Sequence, residues 1–390
     1  MKKKIFLVFV LIGLLLIFLL PTPIQAQAQE KTSEDQLNQS ILELIDKLDL
    51  EDLEKYLNTL DSFSDKSVAE RLFDYIKTDS VRYGDFFQGI GNVLFENVKK
   101  LLPSFLCIAA ITLLCGIVGT LKVGRTSASS EPMIFLIAYT SSLIPVLAVI
   151  TECFSVAKSC VSTMQTQMQI VFPLLITLMA ASGGSVSAAI CRPAVAFFST
   201  NIVSLILSVI YPFTLLIIAF SMAGHLSKDL KFSKFASFFK GINKWIIGIS
   251  ISVFSLFFTL QGMTAASYDG ITRRAAKYAL GTGVPIVGGF LSGGFDLALA
   301  GSALIKNSLG SMSIFMMISV LFEPIVLLVS VNLLLKLTAA ITQPIGDERI
   351  SDFLEETAGN LNYCTAGVLF SAFLYFLCIV LIVGTGEAFL

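Results

Sequence analysis

Residues that could carry out enzyme chemistry are scarce in this chain of 390 residues. His225 is the only histidine, so neither a histidine-based triad nor an HExxH zinc site can form. No GxxxxGK phosphate loop occurs, and Ser155 and Lys158 fit an SxxK pattern without its companion motifs. The sequence therefore predicts a protein that is not an enzyme and that has no catalytic residues, metal site or cofactor.

A glycine-rich stretch between residues 278 and 301 is the most informative for function. Glycine lets helices approach closely or unwind, and unwound backbone at membrane depth needs protein or a wet cavity beside it. Acids in apolar runs are costly in lipid, so we expect a polar cavity or a paired group here. The sequence leaves two interpretations of this stretch open: its residues line a conduit, or they allow helices to pack tightly. The residues concerned are Gly281, Gly283, Pro285, Gly288, Gly289, Gly293, Gly294, Asp296, Glu323 and Pro324.

Composition decides which elements must position these residues. The chain is 55% hydrophobic and 14% charged, with a mean hydropathy of +0.81. A soluble domain carries about a quarter charged residues, so lipid must be the main solvent of this chain. We predict an all-α fold, namely a polytopic transmembrane helical bundle with a small helical extracytoplasmic domain at its N-terminus.

Apolar runs long enough to cross about 30 Å of hydrocarbon follow one another through residues 101–390. They predict seven or eight spans. The run 194–223 contains Pro212 and is long for one untilted helix, and the run 309–341 is interrupted at Glu323 and Pro324. The predicted spans are 101–121, 133–151, 170–190, 194–223, 245–265, 284–305, 309–341 and 364–388.

The N-terminal hundred residues differ from the rest. Three lysines, an apolar run over 5–20 and an A-x-A pattern at Ala26 and Ala28 predict a signal peptide over 1–28, with an uncleaved anchor as the alternative. Residues 30–100 hold 16 of the 28 acids against 9 bases. Capping boxes and apolar stripes predict an acidic helical domain over 29–100, outside the cytoplasm, which either caps the first membrane helix or docks a partner.

Amphipathic segments are predicted near 226–244, 268–280 and 346–361. The first two are basic and only one span separates them, so the positive-inside rule cannot place both in the cytoplasm, and the orientation stays open. The first segment, with its apolar side, is expected to bind anionic headgroups. The third is acidic and is a candidate for protein contact. Its acids are Asp347, Glu348, Asp352, Glu355 and Glu356.

The glycine-rich stretch also carries a family resemblance. It reads ITRRAAKYALGTGVPIVGG over 271–289 and continues as SGGFD to Asp296. This resembles the stage III sporulation protein AE family of endospore-forming bacteria. The leader, the acidic exported domain and the multi-span body also fit, so the resemblance covers the whole chain and is most specific over 271–310.

The resemblance implies a multi-pass protein of the mother-cell membrane that surrounds the engulfed forespore. Family members form a channel-like complex with other stage III sporulation A-type proteins and with stage II sporulation protein Q of the forespore. That complex sustains the forespore and its late gene expression. One partner is a secretion-type ATPase, which agrees with the missing nucleotide site in this chain.

The sequence therefore supports two hypotheses of function. In the first, the chain is a non-enzymatic membrane component of that complex. Its expected contacts are then the lipid bilayer, the other proteins of the complex and, as an option, further copies of itself in a homo-oligomer. The second is a self-sufficient secondary transporter that uses 281–294 and Asp296, although its first half offers only a faint counterpart at 182–185. Nucleic acid is not expected as a partner because no basic face is clustered.

Overall fold

The computed structural model describes residues 53, 99, most of 101–117, 131–226, 232, 234–257, 259, 288–344 and 348–384. For 288–297 it describes the backbone only. The predicted signal peptide, nearly all of the 29–100 domain and the segment 268–280 lie outside these residues. All regular structure within them is helical, as the sequence predicted.

Six helices make up the described part of the chain. Four of them, α2, α3, α5 and α6, are long and apolar enough to cross a bilayer, over Phe135–Ala181, Ser185–Leu226, Ala298–Thr342 and Glu348–Gly384. The predicted count of seven or eight spans is not confirmed by these helices and stays a prediction. The helices are α1 (Leu101–Ile111), α2 (Glu131–Ala181), α3 (Ser185–Leu226), α4 (234–257), α5 (Gly288–Thr342) and α6 (Glu348–Gly384).

Two of these helices each replace a pair of predicted segments. The predicted span 133–151 and most of 170–190 belong to the single helix α2, because the polar residues between them include no glycine or proline. The predicted span 309–341 and the described part of 284–305, from residue 288 onwards, likewise fall in α5. A continuous helix crosses a bilayer once, so the sequence-based division into these pairs is not what the chain adopts.

Proline 324 is accommodated inside α5 by a neighbouring helix. Proline has no N–H, so the carbonyl of Val320, four residues earlier, loses its helical partner. The Cys160 thiol of α2 lies 3.5 Å from that oxygen and donates to it. A thiol is a weak donor, yet it supplies a partner where lipid could supply none. The helix therefore continues through Pro324, where the sequence predicted an interruption.

The turn between α2 and α3 is set by glycine. Gly183 has φ 96°, in the left-handed region that side chains avoid. The N–H of Gly184 donates to the Met179 carbonyl at 2.9 Å and that of Gly183 donates to the Ala180 carbonyl at 3.2 Å, which is a Schellman ending. The small residues at 182–185 thus form a tight connection between two antiparallel helices.

Helix α3 is uninterrupted but not uniformly α-helical. Its α-helical parts alternate with two π-helical turns, Phe198–Ile202 and Ile206–Ile210. A π-turn widens the helix and misaligns carbonyls from their usual donors. Side chains of neighbouring helices donate to one carbonyl in each turn, since Gln165 reaches the Thr200 oxygen and Asn243 reaches the Ile210 oxygen, at 3.2 and 3.3 Å.

The core lies where α5 and α6 pack on each other and on α2, with α3 completing the bundle along α6. Aromatic rings mark the contacts, with Phe172 of α2 against Tyr375 of α6 at 5.5 Å between ring centroids. Small residues allow the closest approaches: at Gly367 of α6, an added Cβ would lie 2.6 Å from the Tyr211 ring. Close packing of this kind holds helices together when lipid removes the hydrophobic drive between them.

Candidate functional site

A group of polar side chains joins three helices at one end of the bundle. Glu356 of α6 accepts a hydrogen bond from Lys240 of α4, with 2.8 Å between Nζ and Oε1. Its other oxygen lies 3.8 Å from Nδ1 of His225, near the end of α3. The three side chains are between 21% and 35% exposed, so water reaches them only in part. We call Glu356, Lys240 and His225 the charged triplet.

The histidine of the triplet has a defined tautomer. Its Nδ1 is 2.7 Å from the carbonyl oxygen of Ser221, one turn earlier in α3. A carbonyl can only accept, so Nδ1 carries a hydrogen. The Glu356 carboxylate lies 3.8 Å from the same nitrogen, beyond hydrogen-bond distance.

Hydrogen bonds between uncharged groups surround the charged triplet. The Asn360 amide donates to the Ser221 hydroxyl at 3.2 Å, and Tyr139 of α2 donates to the Met222 carbonyl at 2.6 Å. Buried polar groups must be satisfied in this way, and their pairing specifies one arrangement of the helices. The four helices α2, α3, α4 and α6 are thereby joined at this end.

Helix α4 is anchored by one buried amide. Asn243 is fully buried and its Nδ2 donates to the Thr214 hydroxyl at 3.1 Å as well as to the π-turn carbonyl of Ile210. The opposite face of α4 exposes Phe235, Phe238 and Trp245. This is the apolar side that the sequence assigned to a lipid interface, and its Phe235 ring also stacks on Phe220 of α3, with 5.6 Å between ring centroids.

Replacing Asn243 with alanine is expected to loosen α4 by about 1–3 kcal/mol, because two buried acceptors lose their donor. Trp245 is the only tryptophan and lies on α4, so its fluorescence reports on this helix alone. In a thermal scan of the detergent-solubilised variant, the fluorescence transition should precede the loss of helical circular dichroism. Lys244→Ala, at an exposed position beside it, should leave the two transitions together. Coincident transitions in both variants would contradict this role of Asn243.

The acids predicted to contact a partner divide into two groups. Glu348, Asp352 and Glu355 are exposed, and their spacing of four and three residues places them on one face of α6. Glu356 instead turns towards Lys240 and is not free for a partner. Asp347 lies outside the described residues. Contact of the exposed acidic face with another protein stays a prediction.

The glycine-rich candidates are described only in part. Gly281, Gly283 and Pro285 lie outside the described residues. The backbone of 288–296 is helical and begins α5, which covers Gly288, Gly289, Gly293, Gly294 and Asp296. Further along α5, Glu323 is exposed and Pro324 is buried. The two acids, Asp296 and Glu323, are separated by about 40 Å of helix, so the structure does not bring them together.

Sequence reasoning missed several residues of the site. His225 was considered only for catalysis, and the asparagines at 243 and 360 were not considered. Lys306 lay between two predicted spans, yet it is fully buried within α5. A usable signal existed, since amides and charges inside long apolar helices are rare and are usually paired between helices.

The described residues contain no group of three or more histidine, cysteine, aspartate or glutamate side chains able to hold a metal ion. What they do contain is a bundle of long apolar helices held by interhelical polar bonds, which is the construction of a polytopic membrane protein.

The family model of stage III sporulation protein AE matches residues 68–386, and the chain belongs to this family. The chain is also similar to stage III sporulation protein AE of Bacillus subtilis (strain 168). The two are 25% identical over 335 residues, which covers 86% of this chain and 79% of the relative. No solved structure matches the chain. The family match and the similarity to this relative together indicate that the chain has a role in sporulation.

Proposed function

We propose that this chain is a non-enzymatic membrane component of a channel-like complex between the mother cell and the forespore. The complex is required for endospore development and late forespore gene expression. The observation that carries the proposal is family membership over 68–386, combined with four helices of bilayer-spanning length. In this proposal the chain lies in the mother-cell membrane surrounding the forespore.

The partners in this proposal are other stage III sporulation A-type proteins and stage II sporulation protein Q. The exposed face formed by Glu348, Asp352 and Glu355 supports a protein partner over lipid, because an acidic surface is repelled by anionic headgroups. The predicted signal peptide over 1–28 and the predicted acidic domain over 29–100 support a second contact region outside the cytoplasm.

Deletion of the gene in its endospore-forming host tests the function directly. We expect vegetative growth to be unchanged, late forespore transcription to fall and heat-resistant spores to be lost, and we expect an intact copy to restore transcription and spore formation. The tagged protein from sporulating cells should co-purify with the other sporulation membrane proteins. Normal spore counts in the deletion strain would refute the proposal.

The acidic face gives the second arm of this test. Neutralising it with Glu348→Gln, Asp352→Asn and Glu355→Gln together should reduce co-purification while the protein level in the membrane stays normal. Neutralising Glu323→Gln and Glu152→Gln, which are also exposed but lie on other helices, is the matched control. Solute uptake by the reconstituted chain alone would instead support the transporter.

A further inference from the structure

Helix α2 exposes a row of polar side chains along its middle. The row covers 19 residues, or about 28 Å of helix, and an arc of about 120°. The opposite side of the same stretch is buried and mostly apolar, with Val161 and Met164 in the core. We call the row the polar stripe. Its members, all exposed, are Thr151, Glu152, Ser155, Lys158, Ser159, Ser162, Thr166 and Gln169.

The polar surface continues onto α3. The Gln165 amide of α2 donates to the Thr200 carbonyl and to the Ser204 hydroxyl, at 3.2 Å in each case. Thr200 itself and its neighbour Asn201 are exposed, as is Ser208 two turns further on. These residues lie in or beside the two π-turns, where α3 is widened. The stripe and this part of α3 form one surface, which we call the polar seam.

Contacts across the bundle place the polar seam level with the middle of the other long helices. The Phe154 ring packs 6.0 Å from the ring of Tyr211 in α3, and the Cys160 thiol meets the Val320 carbonyl of α5. The Tyr211 hydroxyl in turn donates to the Cys364 carbonyl of α6 at 3.5 Å. Each of these partners lies near the middle of its candidate span. The stripe is therefore level with the centres of the other three long helices.

A polar seam at this level is costly if it faces lipid. It exposes one acid and one base, and charged groups at the centre of a span are costly and functional as a rule. Apolar residues occupy other exposed positions near this level, such as Leu215 and Leu216 of α3. Glu323 of α5, three residues from Val320, adds another exposed acid. The exposed surface around the middle of the bundle thus carries a polar seam as well as separate apolar positions.

We propose that the polar seam faces water at membrane depth and lines an aqueous conduit in the assembled complex. The inference rests on the proposed membrane role and adds to it which surface of this chain lies along the conduit. Hydroxyls, amides and charges of both signs contact the solute, so the conduit suits small hydrophilic molecules without strong selection for charge.

Thiol labelling tests the proposal in the full chain. The background carries Cys107→Ser and Cys115→Ser and keeps the five cysteines that are buried. Single cysteines replace Ser155, Ser159 or Ser162 in the stripe, and Leu215 or Leu216 at exposed apolar positions of α3. A charged, membrane-impermeant methanethiosulfonate is applied to membranes of sporulating cells that express each variant. The reagent reacts with thiolate, which forms in water and not in hydrocarbon.

We expect the stripe cysteines to react at least about tenfold faster than the two leucine-site cysteines, in line with the loss of thiolate in an apolar environment. Equal, slow rates at all sites would overturn the proposal, because the stripe would then be covered. Equal, fast rates would also overturn it, because this level would then lie outside the hydrocarbon. Spore counts of each variant are read separately, so a failure of the sporulation role is distinguished from a failure of the conduit assignment.

Discussion

Replacing Gly367 with alanine is expected to destabilise the bundle by about 1–3 kcal/mol, as overpacking of a close-packed interior does. The added Cβ would lie 2.6 Å from Cε1 of Tyr211 and 3.1 Å from Cγ2 of Ile206. An aromatic ring cannot yield as a flexible chain end does, and the Tyr211 ring is also held by Phe154 and by its hydrogen bond to Cys364. Helix α6 must therefore move away from α3.

Gly359 provides the matched control for this substitution. It lies on the same helix, is exposed, and has nothing within 4 Å of an added Cβ. Gly359→Ala should be neutral or stabilising by up to about 1 kcal/mol through the higher helix propensity of alanine. The midpoint of unfolding by dodecyl sulfate, followed by circular dichroism, measures both variants. Equal midpoints would show that α3 and α6 are not in close contact at Gly367.

Replacing Glu356 with alanine is expected to cost about 1–3 kcal/mol, between the values for exposed and for buried ion pairs, because its partners are only partly exposed. Lys240 then loses its acceptor and His225 loses its facing carboxylate. Since these two residues come from α4 and α3, the loss should separate α4 from α6 first. A pair of cysteines across α4 and α6 would report the separation through slower cross-linking.

A double-substitution cycle isolates the ion pair. Lys240→Met combined with Glu356→Ala should cost less than the two single changes added together, because the bond is removed only once. Glu355→Ala, one residue away and on the exposed face, should change stability by less than about 0.5 kcal/mol. Additive effects of Lys240→Met and Glu356→Ala would show that the 2.8 Å contact contributes nothing to stability.

The class of fold was predictable from sequence because apolar composition and run length depend on each residue separately. The positions at which one helix ends and the next begins were less predictable from sequence. Residues 151–169 are polar and were read as a connection between spans, yet serine, threonine and glutamine in an otherwise helical run do not end a helix without glycine or proline. Helix α2 ends instead at Gly183, where a glycine adopts the left-handed conformation.

The polar contacts at the end of the bundle were beyond sequence reasoning for a different reason. Glu356 was grouped with its acidic neighbours because they share a segment, whereas its partners are more than a hundred residues away in the chain. Only tertiary packing decides which of two adjacent acids, Glu355 or Glu356, turns inward. Helical spacing could have raised the question, since adjacent residues point about 100° apart.

The length of α2 has a consequence for how the protein is handled. At 51 residues it measures about 75 Å, more than twice the thickness of the hydrocarbon core of a bilayer. Met133 and Ile137, near its start, are exposed and apolar, and they stand some 35 Å from the level of Cys160. If the bilayer is centred near Cys160, these apolar side chains lie beyond the hydrocarbon and need a protein surface to cover them, either from residues of this chain outside the described ranges or from a neighbouring subunit. Co-expression with partner proteins is therefore expected to improve the yield of folded protein.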